Sequence, residues 1–284
     1  MTFGNPSVEL NAIRQSACQA DISVISEPPF AHQYPASLPI KVVPDLRDIT
    51  AVRDAATALN RRRPINYIIT PAERALQAAG FLRTYLGIPG MSYEKANLFS
   101  NKAAMKNALS TAGLPVTDFR VVSSIERIAQ AAQDIGFPVV VKPAIGQGTA
   151  DTFVIENILA LNVLLESRDV ANISNAPCQI MVEKFVPMLA ELHCDGIVWK
   201  GFPQFLSVSQ YYTPALQSFH SNRTATHLWG THTLAPSHHW VAPASKLHNK
   251  AIQVLGLENG VTHMEILQTK DGPLIGELSC RPGA

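Results

Sequence analysis

Residues 261–281 read VTHMEILQTKDGPLIGELSCR and contain two stretches of alternating character around an Asp-Gly pair. A short connection that contains glycine, placed between two such stretches, predicts an antiparallel hairpin with strands at 261–269 and 273–281 and a three-residue turn. In this register Glu265 and Glu277 are equally far from the centre of the turn and lie opposite each other. The hairpin therefore predicts two carboxylates on one face of a sheet.

Opposed glutamates stand about 5 Å apart, and like charges at that distance destabilise a sheet unless a cation lies between them. Oxygen ligands without a soft ligand in register favour Mg²⁺ or Mn²⁺ over zinc, and Mg²⁺ held in this way usually accompanies phosphates. The alternative is an exposed face on which both glutamates are solvated. Arg281, on the same face, favours the metal interpretation, and His263 is a candidate to orient Glu265.

Composition limits the class of protein around this hairpin. The chain has 284 residues, of which 46% are hydrophobic and 16% charged, and its formal net charge is +1. This balance predicts a folded protein of one large domain or two packed ones, and argues against a nucleic-acid scaffold or a polybasic membrane binder. No apolar run approaches the roughly 20 residues of a membrane helix, and the start lacks the apolar region of a signal peptide. The cysteines form no CxxC pair, so reduced thiols and a cytoplasmic location are expected.

The order of the expected elements divides the chain near residues 88–96. Before this point, short β-branched runs at 22–25, 41–43 and 66–69 alternate with helical patterns, which predicts a small parallel sheet with crossover helices. Beyond it, the sequence predicts a helix at 102–112, a unit of strands and helices, and a β-rich final hundred residues. We therefore expect a domain at 1–88 and a second domain at 89–284.

Two charged side chains stand out at the ends or centres of apolar strands. Lys142 closes the strand PVVVKP and precedes a glycine-containing turn whose backbone N–H groups suit an anion, although a strand-end lysine can also reach solvent. Glu183 lies between two apolar neighbours in QIMVEKFV, where it can hold an amino group or a ribose hydroxyl, or form a structural ion pair. The histidines, seven of which lie between 220 and 263, show no metal-ligand spacing and do not predict a zinc site.

The order of these motifs resembles that of the ATP-grasp superfamily. Lys102 comes first, followed by GFPVVVKP, a GQGT turn, QIMVEKFV, Glu191, GVTHMEI and GELSCRPG. The resemblance covers roughly residues 65–284 and is nearest to carboxylate–amine ligases of the amino-acid ligase type. It implies an α/β fold (an α+β ATP-grasp domain) that follows a small N-terminal parallel α/β domain, with a mobile lid at about 117–186.

The resemblance also implies roles for particular residues. Lys102 and Lys142 match the lysines that hold the ATP phosphates, and Arg281 matches the arginine that steadies the acyl phosphate, so that Lys142 and Arg281 are the catalytic candidates. The other matched positions are Gln147, Gly148 and Thr149 for the loop over the phosphates, Glu183 for the adenine amino group, Lys184 and Val186 for the hinge backbone, Glu191 for the ribose, and Glu265, Glu277 and Ser279 for the metal. Ser279 stands where many members of the family have Asn, and Glu191 follows a segment one residue longer than usual.

The activity implied by the resemblance is ATP-dependent amide formation. A carboxylate takes the γ-phosphoryl group of ATP, and an amine captures the acyl phosphate, with ATP and Mg²⁺ (or Mn²⁺) as cofactors and amino acids as substrates. The alternatives are a carboxyphosphate ligase of the purine or biotin type and a catalytically inactive nucleotide-binding module. Neither nucleic acid nor membrane is expected as a partner, and a homodimer is compatible with the sequence. Ligases of this type usually continue beyond the Arg-Pro-Gly, so a longer chain is expected.

Overall fold

The computed structural model describes residues 6–16, 20–146, 151–174, 178–216 and 230–283. The chain divides into two compact units between Asn97 and Leu98. None of the helices in these described ranges is long and apolar enough to cross a membrane.

The first unit contains a parallel pair of short strands with helices between and after them. Val24 pairs with Ile40 and Ser26 with Val42. The second strand leads to a helix whose N-terminus is capped by Asp48, since its carboxylate accepts hydrogen bonds from the backbone N–H groups of Thr50 and Ala51. The elements are α1 (Pro6–Ser16), β1 (Val24–Ser26), α2 (Pro28–Ala31), β2 (Ile40–Val42), α3 (Ile49–Arg62), a 3₁₀ turn (Glu73–Ala75), α4 (Leu76–Leu86) and α5 (Tyr93–Leu98), which runs to the division.

The third strand predicted at 66–69 is wrong. This segment pairs with no strand among the described residues. The carbonyl oxygen of Ile68 instead accepts hydrogen bonds from Nε (3.2 Å) and Nη2 (2.7 Å) of Arg83 in α4. A β-branched run forms a strand only where a neighbouring strand supplies its hydrogen bonds, and here a side chain satisfies the backbone.

The second unit begins with an antiparallel four-stranded sheet whose strand order is β3-β6-β4-β5. One face is covered by helices, and the core between them includes Ile128, Val141, Leu161 and Val182, all nearly inaccessible to water. The sheet and the helices that cover it lie within the segment 117–186, whose movement as a lid stays a prediction. The elements are α6 (Lys102–Thr111), β3 (Phe119–Val122), a 3₁₀ turn (Ile125–Arg127), α7 (Ile128–Ile135), β4 (Val139–Pro143), β5 (Phe153–Ile155), α8 (Ile158–Glu166), α9 (Val170–Ser174) and β6 (Ile180–Lys184).

A second antiparallel sheet, of five strands, completes this unit in the order β11-β10-β7-β8-β9. The two faces of β7 differ as the period of a strand requires. Leu192 and Cys194 are buried on the face that carries the long helix α10, whereas Glu191, His193 and Asp195 share the other face. The elements are β7 (Ala190–Trp199), β8 (Phe202–Tyr211), β9 (Thr231–Thr233), α10 (Val241–Leu255), β10 (Gly260–Thr269) and β11 (Gly272–Ser279).

Candidate functional site

The hairpin of β10 and β11 places Glu265 directly opposite Glu277, as predicted. The prediction of its turn was wrong: Thr269 pairs with Gly272, so the connection has two residues, not three. A shift of register between Glu265 and Ile266 compensates, because Ile266 pairs with Ile275 and Gly276 is the extra residue of a β-bulge. The two deviations cancel, and the carboxylates still face each other.

Lys102 brings a positive charge to this pair. It is the first residue of α6, its Nζ lies 3.1 Å from Oε1 of Glu277, and it donates a hydrogen bond of 2.7 Å to the carbonyl oxygen of Gly146. Asn101 caps the helix through the N–H groups of Ala103 and Ala104, and the N–H of Lys102 donates to the carbonyl of Ala144. The cap and this bond fix the lysine between the end of β4 and the hairpin.

Glu183 is the centre of a second, largely buried cluster. Its Oε1 lies 2.5 Å from Nζ of Lys106, and its Oε2 lies 2.6 Å from Nζ of Lys142. The hydroxyl of Thr117 also contacts Oε1 and lies 2.5 Å from Nζ of Lys106. Glu183 therefore forms the ion pair that the sequence left as one of its alternatives, and its contact with an adenine amino group stays a prediction.

Sequence reasoning missed Lys106. The residue lies in α6 beside the buried Met105, and its side chain is 0% exposed. A lysine at such a position needs a buried anion, and a mid-strand glutamate such as Glu183 was the available signal. Only the fold brings the two residues together, because 77 positions separate them.

Burial and charge shift the pKa values of Glu183, Lys106 and Lys142 in opposite directions. Burial alone raises the pKa of Glu183, but the charges of Lys106 and Lys142 outweigh it and hold the pKa well below its ordinary value. For Lys106, burial is the larger influence and lowers its pKa. Burial also lowers the pKa of Lys142, but the charge of Glu183 prevails and raises it. The cluster is a carboxylate held between two lysines.

Glu191 lies on β7, on the same face as the two hairpin glutamates. Its Oε2 accepts a hydrogen bond of 2.7 Å from the backbone N–H of Ala215. Burial, followed by the negative charge of Glu265, raises the pKa of Glu191 to about 7. A hydroxyl donor or a cation placed here would relieve the burial of this carboxylate, which agrees with the ribose contact that the resemblance implies.

A cluster of two histidines and an aspartate lies beside the hairpin glutamates; sequence reasoning named His263 but missed its partners Asp195 and His193. Asp195 receives Nδ1 of His193 at 2.6 Å on one oxygen and Nδ1 of His263 at 2.8 Å on the other. Nε2 of His263 lies 3.8 Å from Oε1 of Glu265, and a role of His263 in orienting that carboxylate stays a prediction. Burial lowers the pKa of His263, but its two carboxylate neighbours prevail and raise it to about 9.

The two remaining candidates, Ser279 and Arg281, lie at the C-terminal end of the hairpin. Ser279 is buried and its hydroxyl lies 3.4 Å from Oε1 of Glu277. Arg281 is half-buried and donates a hydrogen bond of 2.8 Å to the carbonyl of Pro282. Burial raises the pKa of Glu265, but His263, then Lys102 and then Arg281 outweigh it and lower the pKa. Both residues therefore lie near the carboxylate pair with which the sequence grouped them.

The hinge and loop residues complete the comparison with the sequence. Nζ of Lys184 donates to the carbonyls of Gly136 (2.7 Å) and Phe137 (3.3 Å) just after α7, so its side chain ties the end of β6 to the end of that helix. Val186 follows β6 and lines a cavity of about 630 Å³ together with the turn of the hairpin. Three predicted residues of the phosphate loop lie outside the described residues: Gln147, Gly148 and Thr149.

The carboxylates and lysines of these two clusters lie in the second unit. Two opposed carboxylates with a lysine at Glu277, and two further lysines on a buried glutamate, suit a divalent cation and the phosphates of a nucleotide. The ATP-grasp domain model matches residues 107–283, which is more than half of the chain. The chain belongs to the ATP-grasp family.

Individual relatives agree with this assignment. The chain is 31% identical to the L-arginine-specific L-amino acid ligase of Bacillus subtilis over 93% of its own length, and spans 63% of that protein. The fold is similar to the crystal structure of an L-amino acid ligase from Bacillus licheniformis (TM-score 0.65, 18% identity, covering 93% of this chain and 68% of that one). It is also similar to carboxyaminoimidazole ribonucleotide synthase from Aspergillus clavatus, solved with ATP (TM-score 0.71, 15% identity, covering 99% and 69%).

Proposed function

We propose that this chain binds ATP with Mg²⁺ and uses it to join a carboxylate to an amine, releasing ADP and phosphate. The observation that carries the proposal is the opposed pair Glu265 and Glu277 with Lys102 in contact with Glu277. This arrangement lies in the same unit as Lys142, so the proposed metal ligands and phosphate ligands converge there.

The hairpin residues fit a magnesium ion by the chemistry of their donors. Glu265 and Glu277 offer carboxylate oxygens from adjacent strands, and Ser279 adds a hydroxyl oxygen on the same face. Mg²⁺ prefers such oxygen ligands and is usually bound through one or two carboxylates together with substrate phosphates. When bound, the ion would offset the negative charge of the phosphates, including that which develops during phosphoryl transfer.

The nucleotide would lie between the two sheets of the second unit. Lys102 and Lys142 supply ammonium groups for the phosphates, and Glu191 supplies an oxygen for the ribose. The further residues of this proposed nucleotide site are Gln147, Gly148 and Thr149 over the phosphates, Glu183 near the adenine amino group, and the hinge residues Lys184 and Val186.

The chemistry requires positioning and charge neutralisation more than covalent participation by the protein. A carboxylate oxygen of the substrate attacks the γ-phosphorus, and the bond between that phosphorus and the bridging oxygen of ADP breaks. Lys142 and Arg281 are placed to stabilise the transferred phosphoryl group. The amine then attacks the acyl carbon and loses a proton, and phosphate leaves with the oxygen that came from the carboxylate. Closure of 117–186 would keep water from the acyl phosphate.

Amino acids are the proposed acid and amine. The support is the similarity to a protein described as an L-arginine-specific L-amino acid ligase, together with the ATP-grasp fold. We infer that the choice of amino acids depends on residues within 205–245, including Tyr211, Tyr212 and Trp229; of this range, 217–229 lie outside the described part of the chain.

Assembly as a homodimer and a cytoplasmic location also belong to the proposal. The dimer is supported by exposed apolar side chains on neighbouring strands, Ile197, Trp199, Phe202 and Phe205. The location is supported by Cys178 and Cys194, which form no disulfide among the described residues. Light scattering and fractionation of cells that produce the chain test the two.

The experiment is phosphate release from Mg–ATP, measured across pairs of L-amino acids for the wild-type chain and Glu277→Gln. We expect release that depends on both amino acids in the wild type and none above background in the variant, with unchanged circular dichroism. Turnover retained in Glu277→Gln would contradict the metal assignment. Release that requires bicarbonate in place of amino acids, or ATP–Mg²⁺ binding without turnover, would contradict the ligase.

A further inference from the structure

We propose that Asp195 is a positioning residue for the carboxylate of Glu265, acting through His263; the inference rests on the proposed function, in which Glu265 binds the metal. Nothing in the sequence pattern of the hairpin alone points to Asp195, which lies 68 residues before His263 on another strand. The strand register brings the residues together, since β10 pairs with β7 so that His263 faces Asp195 and Glu265 faces His193.

The hydrogen bonds of Asp195 fix the direction of both imidazoles. An ionised carboxylate only accepts hydrogen bonds, so Nδ1 of His193 (2.6 Å) and Nδ1 of His263 (2.8 Å) both donate to it. The two nitrogens of an imidazole lie on opposite edges of the ring, and holding Nδ1 therefore directs Nε2. For His263 this edge faces Oε1 of Glu265 at 3.8 Å.

The other imidazole ends in a different contact. Nε2 of His193 lies 2.8 Å from the hydroxyl of Thr231 on β9, far from the hairpin in strand order. The network thus has two arms that meet at Asp195. One arm ends at Oε1 of Glu265 and the other at the hydroxyl of Thr231, and the contact with Thr231 provides an internal control.

The same three residues could be taken for a site of their own for a transition metal, because their ligand atoms lie within 4.8 Å of one another. The contacts favour the proposal that Asp195 positions Glu265 through His263. Both Nδ1 atoms are already donors to Asp195, and the backbone of Gly283 closes over the pair: a Cβ there would lie 2.8 Å from Nδ1 of His263 and 3.0 Å from Oδ1 of Asp195. This packing suits a hydrogen bond between the two side chains.

The test is the affinity of the full chain for Mn²⁺, followed by electron paramagnetic resonance in the presence of a non-hydrolysable ATP analogue. Asp195→Asn keeps the shape of the side chain but replaces one accepting oxygen by a donor. We expect Mn²⁺ to bind about 10- to 100-fold more weakly, the range found when residues that orient metal ligands are removed. In steady-state turnover, the KM for Mg²⁺ should rise more than the KM for the amino acids.

Two further variants separate positioning from general stability. His263→Asn keeps a donor near the place of Nδ1, for the bond to Asp195, but has nothing at the place of Nε2. It should lose Mn²⁺ affinity with a smaller loss of thermal stability than Asp195→Asn. Thr231→Val removes the contact at the end of the other arm and should bind Mn²⁺ as the wild type does.

The outcomes are distinguishable from failure of the proposed function. If the wild type binds no Mn²⁺ with the nucleotide, the proposed function falls, and this inference with it. If the wild type binds Mn²⁺ and Asp195→Asn binds it equally well, or Thr231→Val loses as much affinity, only the inference is overturned. Tight binding of Zn²⁺ alone, abolished in Asp195→Asn, would also overturn it in favour of a separate metal site.

Discussion

At the scale of single residues, Glu183 is the carboxylate that pairs with both Lys106 and Lys142. Lys106 and Lys142 approach it from α6 and β4, and neither lysine is a surface residue. A buried ion pair of this kind contributes little compared with a well-packed apolar pair, but removing one partner leaves an uncompensated charge in the interior. The stability of the fold and the position of Lys142 therefore depend on the same carboxylate.

Replacement of Lys106 by Met should lower the free energy of unfolding by about 3 kcal/mol, since breaking a buried pair costs this much or more. Denaturation in urea measures it. Arg120→Met is the control, because Arg120 pairs with Asp118 at the surface and such pairs contribute less than about 1 kcal/mol. Equal losses in the two variants would show that the buried pair has no special weight.

The pH dependence of stability should also identify Glu183. Its pKa is lower in the folded chain than in the unfolded one, so its ionised form stabilises the fold at neutral pH, and this contribution falls as the pH drops below about 4.3. Glu183→Gln should be less stable than the wild type at pH 7, and the difference should narrow between pH 5 and pH 3. A difference that stays constant over this range would contradict the assignment.

The residue scale also shows what sequence reasoning can reach. The opposition of Glu265 and Glu277 was predicted correctly from the alternation of two adjacent strands, although the register depends on a shorter turn and a bulge that cancel each other. Lys106 and Asp195 were not, since each acquires its role from a partner on a distant strand. Local spacing fixes which face a side chain takes, whereas long-range pairing decides what it meets.

At the scale of elements, the N-terminus of α6 connects helix stability to the phosphate site. Asn101→Ala removes the cap beside Lys102 and should lower the free energy of unfolding by about 1 kcal/mol and weaken the binding of ATP–Mg²⁺. Asn157→Ala is a matched control, because Asn157 caps α8 through the same two kinds of bond. Its loss of stability should be similar, and calorimetry should find its nucleotide affinity unchanged.

Equal weakening of nucleotide binding in both cap variants would contradict the placement of Lys102.

The elements themselves were predicted with mixed success for a physical reason. The β10–β11 hairpin forms from its own pattern, although the bulge at Gly276 and the shorter turn were missed because they cancel in register. The strand expected at 66–69 failed because nothing in its own residues reveals that Arg83 satisfies its backbone.

At the scale of the whole molecule, the two sheets of the second unit should approach each other when nucleotide binds. Spin labels at Leu159 on α8 and Gln204 on β8, both exposed, report the distance between the sheets in a background without native cysteines. We expect a shorter and narrower distance distribution with ATP–Mg²⁺ than without it. An unchanged distribution would contradict closure of the segment 117–186.

The central claim is that a substrate carboxylate is activated by the γ-phosphoryl group of ATP. Its most direct test is transfer of ¹⁸O from carboxyl-labelled L-amino acids to inorganic phosphate, followed by mass spectrometry. The account predicts phosphate that carries one ¹⁸O atom for each dipeptide formed, and none with Glu277→Gln. Two results would contradict it: phosphate without ¹⁸O when the amino-acid carboxyl group is labelled, or phosphate that acquires ¹⁸O only when water or bicarbonate is labelled.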